Sequence, residues 1–154
     1  MRNAKEYLSQ IRRYDTMIDS MLDEVDKLYA MVTRITPVLK DDVVSGGGQQ
    51  DKIGNAVAKI VDLKERINKE VDQLVDLKKE ASELLAKVSN PDYYKVLHKR
   101  YILYETFEQI AFDMNYSYRW VCKLHGRALQ TFAKLMEEEE KDQQRMMQNE
   151  SGID

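Results

Sequence analysis

Apolar residues early in the chain recur at alternating spacings of four and three: Tyr7, Ile11, Tyr14, Ile18, Met21, Val25, Leu28, Val32 and Ile35. A 3.5-residue period held over four heptads predicts a long helix with a coiled-coil seam. Asn3 is placed to cap it, with Glu6 as the reciprocal partner three residues on. Pro37 is expected to end it. A second series, Ile53, Val57, Ile60, Ile67, Val71, Leu74, Ala81, Leu84 and Val88, predicts another long helix from about Asp51 to Val88. Between them, residues 36–50 contain Gly46-Gly47-Gly48 and read as a loop in which the chain reverses. A phosphate-cradling role for that loop lacks a preceding strand and a following Lys-Ser/Thr. The expected unit over 1–90 is a long antiparallel helical hairpin. Leu8, Leu22, Tyr29, Leu63, Leu77 and Leu85 widen both stripes beyond the needs of a two-helix pair, which points to a four-helix dimer.

After Ser89 the pattern shortens. Asn90 and Pro91 suit the cap and first position of a helix running to about Leu103. Thr106 and Gln109 have capping-box spacing before Phe107, Ile110, Ala111 and Met114. Asn115 then falls where a left-handed turn residue is needed. Ser117 caps a last helix to about Met136, with Val121, Leu124, Ala128, Phe132 and Leu135 on its apolar side. A short helix, a tight turn and a longer capped helix make a helix-turn-helix, so 91–136 is expected to be a three-helix domain of that kind. Residues 137–154 open with four glutamates and read as a frayed helix end followed by disorder.

Composition agrees with an all-α protein: 33% charged, 8% aromatic, and only two prolines and six glycines in 154 residues. No apolar run is long enough to cross a membrane, and the first residues show no secretory signal core. One cysteine and two histidines offer no zinc set, and no cofactor motif is present. These features lead to the expectation of a cytoplasmic, non-enzymatic protein. The net charge of −3 conceals a local excess of cations. Residues 92–134 carry seven basic and four acidic side chains, and no acid occurs between Asp113 and Glu137. Arg119, Lys123 and Arg127 recur at i, i+4 and i+8 on the polar side of the last helix, beside Tyr118, Cys122 and Gly126. A cationic helix face after a tight turn is what duplex DNA requires of a recognition helix. Trp120 reads as packing at the core edge and His125 as a surface residue. Cys122 reads as a small exposed side chain without a base to activate it.

The segments Val96-Leu97-His98-Lys99-Arg100-Tyr101, Phe107-Glu108-Gln109-Ile110-Ala111 and Met114-Asn115-Tyr116-Ser117, with Val121, Leu124 and Arg127-Ala128-Leu129, resemble sigma-70 region 4. Over residues 3–136 the chain is similar to small phage proteins of Gram-positive bacteria that join a helical hairpin to such a domain. Its C-terminal part resembles the RinA- and ArpU-type activators of phage late genes. The resemblance implies contact with double-stranded DNA through Ser117, Tyr118, Arg119, Cys122, Lys123 and Arg127, and implies host RNA polymerase as a further partner. Two departures stand out. The family usually has glycine where Tyr104 and Asn115 stand, and region 4 usually has polar or charged residues where Tyr118 and Cys122 stand, so the base sequence read is expected to differ from a housekeeping −35 element.

The sequence reading is therefore a phage-encoded, dimeric transcriptional regulator. Two rivals remain at this point. One is a DNA-packaging protein like a small terminase subunit, which would assemble as a ring. The other is a coiled-coil adaptor that binds RNA polymerase and no DNA.

Overall fold

The computed structural model describes residues 3–41 and 48–152, with side chains for 3–34 and 51–152. All regular structure among them is helical: α1 (Ala4–Asp41), α2 (Gly48–Ala86), α3 (Pro91–Leu97) continued by a π-helical turn (His98–Ile102), α4 (Phe107–Met114) and α5 (Tyr118–Ser151). No helix among the described residues is long and apolar enough to cross a membrane. Gly46 and Gly47 of the expected loop lie outside the described residues.

Two expected boundaries move. Pro37 does not end α1, which continues to Asp41. Proline removes only its own N–H and already holds a helical φ, so a helix can run past it with one bond lost. The last helix does not stop near Met136, nor is the tail without structure. Instead α5 continues through Glu137–Glu140 to Ser151. Glu, Gln, Lys and Met are good helix formers, Met136 is buried, and Lys87 Nζ holds Glu139 Oε2 at 2.8 Å.

The chain divides into two compact units, and the division does not fall at residue 90. One unit comprises Tyr14–Val75, and the other Met1–Arg13 with Asp76–Asp154. In the first, Ile18, Met21 and Val25 of α1 and Ala56, Ile60, Leu63, Ile67 and Leu74 of α2 are buried. The ion pair Lys59–Glu24 (2.9 Å) and the hydrogen bond from Lys64 Nζ to the Tyr29 hydroxyl (2.6 Å) join the two helices. The buried α2 series follows a heptad register through Ala56 and Leu63. Val57 and Val71, expected in the seam, are exposed, as are Leu22 and Tyr29. The α2 sequence carries two apolar stripes one residue apart, and spacing alone does not say which is inside.

The second unit begins with the first turns of α1. Asn3 Oδ1 accepts from the backbone N–H groups of Lys5 (2.9 Å) and Glu6 (3.2 Å). Tyr7, Leu8 and Ile11 are buried, and the Tyr7 ring packs 6.0 Å from that of Phe132 in α5. This contact places the start of the chain with its C-terminal helices. Val96, Ile110, Ala111, Val121 and Leu124 form a core against which Tyr93, Phe107 and Met114 pack. Each helix start is fixed by its own chemistry. Asn90 accepts from Asp92 and Tyr93 N–H, and Ser117 Oγ from Trp120 N–H at 3.1 Å. Thr106 and Gln109 exchange both bonds of a capping box, at 3.2 and 2.9 Å.

Candidate nucleic-acid interface

The sites at which α4 and α5 meet are set by backbone chemistry. Asn115 adopts φ 59°, ψ 39°, and its N–H closes the end of α4. Short polar asparagine tolerates this left-handed geometry better than other side-chain-bearing residues. Tyr104 also has positive φ, at 58°. The turn is tied to α3 by the Tyr116 hydroxyl, which donates to Asp92 Oδ2 at 2.8 Å. That carboxylate raises the Tyr116 phenol above its ordinary pKa, first through the hydrogen bond and then through its charge.

From Ser117 onward α5 separates into two faces. Val121, Leu124, Ala128 and Phe132 are buried, while Ser117, Tyr118, Arg119, Lys123 and Arg127 are exposed. Cys122 is half-buried. It sits against Tyr118, whose phenol is held above its ordinary pKa first by electrostatic interaction with the Cys122 side chain and then by the hydrogen bond between them. The edge of the Phe107 ring meets the Tyr118 ring at 6.4 Å. Neither Arg119 nor Lys123 forms an ion pair among the described residues. Together with Ser117 and Trp120 they line an open depression of about 410 Å³. Cations free of internal partners beside a shallow concavity can engage phosphate oxygens without first breaking a protein contact.

Two residues differ from expectation. Trp120 is 36% exposed, and the Arg127 guanidinium lies 5.4 Å above its ring. It belongs to the cationic face rather than to the core edge. The signal was the seven-residue spacing to Arg127, two helical turns that bring both to one side. His125 is not on the surface. It is buried, and its Nε2 lies 2.7 Å from the Tyr101 hydroxyl. Burial foremost, then Arg100 and Lys5, lowers its pKa to about 4. A β-carbon added at Gly126 would meet nothing within 4 Å, so no contact inside the described protein demands glycine there.

A family profile described as "Protein of unknown function (DUF1492)" matches residues 34–132, and the chain belongs to this family. No curated protein and no solved structure matches the chain.

Proposed function

We propose that this chain is a phage-encoded transcriptional regulator, an activator of phage genes that binds double-stranded DNA in the host cytoplasm. In this reading α4, the Asn115 turn and α5 form a sigma-70 region 4-like helix-turn-helix, and the start of α5 enters the major groove. Ser117, Tyr118, Arg119, Cys122, Lys123 and Arg127 face the DNA. The observation that carries the proposal is the outward projection of Arg119, Lys123 and Arg127 from a stretch with no acid between Asp113 and Glu137. Phosphate contacts would set the register, and the N-terminal residues of the helix would reach base edges.

The same reading makes α1 and α2 a hairpin that pairs two chains. Support comes from Val57, Val61, Val71 and Val75, which form an exposed apolar stripe on α2. A single small helix-turn-helix makes few contacts, and two linked modules gain affinity by effective concentration. Host RNA polymerase is the further partner that an activator of this kind would contact.

The test is the triple replacement of Arg119, Lys123 and Arg127 by Ala, with binding to fragments of the phage genome measured across a salt series. Loss of three phosphate contacts is expected to weaken binding and to flatten the salt dependence by about 2–3 in slope. Wild-type affinity in a triple variant of unchanged helicity would refute the assignment of this face.

A further inference from the structure

A second group of cations lies apart from the residues assigned to DNA. Lys5 and Arg12 of α1 and Arg100 of the π-helical turn line one cavity of about 340 Å³, with Ser9 beside them. Its remaining walls are the rings of Phe107, Tyr101 and His125. The volume lies in the range of small-molecule sites, and the combination of aromatic walls with a few converging polar groups is what such sites show.

The three cations are held without counterions. None forms an ion pair among the described residues, and no carboxylate is among the lining residues described. Arg100 is fixed by donating Nη1–H to the Glu105 carbonyl at 3.0 Å, with its guanidinium 4.3 Å over the Phe107 ring. Arg12 lies 5.5 Å over the Tyr104 ring. Like charges gathered around a partly enclosed space repel one another, and a bound anion relieves that repulsion. The cavity records its own field: Arg100 and Lys5 both add to burial in keeping His125 neutral. The Tyr101–His125 pair is thus an uncharged wall at neutral pH, and the positive charge sits on the three long side chains.

We infer that this cavity binds a small aromatic phosphate ester. Its dianionic head would be held by Lys5, Arg12 and Arg100, and its flat body would lie against Phe107 and the Tyr101–His125 pair. Three cations match a phosphate dianion better than a single carboxylate, and guanidinium groups offer paired N–H donors to phosphate oxygens. The ring walls would leave a bare inorganic ion with half of the site unused. This site shares no residue with the proposed DNA face and does not depend on it.

The experiment is calorimetric titration of the full-length protein with phenyl phosphate, benzoate, inorganic phosphate and benzyl alcohol. Saturable binding of phenyl phosphate at one site per chain is expected, at least about tenfold tighter than any of the other three. Lys5→Gln and Arg12→Gln, both on exposed positions of α1, should each weaken it by about tenfold while helicity by circular dichroism stays that of the wild type. Ser9→Trp should block the cavity. Arg119→Ala with Lys123→Ala should leave the titration unchanged. Absence of saturable phenyl phosphate binding overturns the proposal, as does binding that survives Lys5→Gln and Arg12→Gln. Tighter benzoate binding would overturn the phosphate assignment, and loss of binding with Arg119→Ala and Lys123→Ala would place the anion on the α5 face instead.

Discussion

The Tyr101 hydroxyl and His125 Nε2 lie 2.7 Å apart and join the π-helical turn to α5 inside the unit formed by Met1–Arg13 and Asp76–Asp154. The pair makes stability depend on pH in a definite direction. His125 protonates only near pH 4 in the folded chain, against 6.5 ordinarily, because burial and then Arg100 and Lys5 oppose its charge. Between these values the unfolded chain binds the extra proton, so stability is complete above about pH 6.5 and falls as the solution is acidified toward pH 4. Solvent at the cavity mouth limits the loss to the order of 2 kcal/mol. His125→Gln retains a polar partner for Tyr101 but does not titrate. Denaturant melts of the two proteins between pH 7 and 4.5 should diverge, with the variant showing the flatter profile. Parallel profiles would mean that another group governs the acid sensitivity.

Asn115 offers a separate test of the turn. Its φ of 59° is left-handed, a region that costs a β-branched residue about 1–2 kcal/mol. Asn115→Val should lower stability by that amount, whereas Asn115→Gly should stay within about 0.5 kcal/mol of wild type. Equal unfolding free energies for the Val and Gly variants would show that the turn does not need this geometry. Tyr104, with φ 58°, has the same strain with a larger side chain, but its ring also carries Arg12 at 5.5 Å. Relief of strain and loss of that contact therefore oppose each other in Tyr104→Gly.

What was legible in the sequence is what short-range chemistry determines. Thr106 and Gln109, Asn90, Ser117 and Asn115 act on backbone within four residues, and all take the expected cap or turn roles. The apolar side of α5 was equally plain, because Val121, Leu124 and Ala128 follow one helical period. Features set over long separations were not. His125 is buried because Tyr101, 24 residues earlier, satisfies its ring nitrogen. The cavity draws Lys5 to the same space as His125, and no local motif marks that meeting. Spacing alone does not separate the Val57–Val71 stripe from the buried stripe beside it, which has the same period. The exposed cationic face was readable from residue type and spacing. The Trp120 ring beneath Arg127 has only its seven-residue spacing to mark it, against the ordinary assignment of tryptophan to a core.

That ring gives a prediction about the proposed DNA face. An exposed cation–π contact contributes about 0.5–1 kcal/mol. If Trp120 holds Arg127 in the orientation that meets phosphate, Trp120→Leu should weaken DNA binding by about two- to fivefold. The same change in an Arg127→Ala background should have little further effect. Binding measured for both single variants and the double variant completes the cycle. Strict additivity would separate the two residues and leave Trp120 without a positioning role.

The exposed valines of α2 make the oligomeric state testable. Val61 and Val75 are 50% and 58% exposed, and with Val57 and Val71 they present an apolar stripe on a highly charged chain. Burying such a stripe against a second copy removes apolar area from water, at roughly 25 cal/mol per Å². Lysine at two of these positions would place like charges face to face across a symmetric interface. Val61→Lys with Val75→Lys is therefore expected to convert a dimer to a monomer in light scattering. Both sites are on the open surface of the Tyr14–Val75 unit, so helicity should not change. DNA affinity should fall with the dimer, because each module then binds alone. A ring of many chains in the wild type would favour the packaging reading, and an undisturbed dimer in the double variant would move the interface elsewhere on the chain.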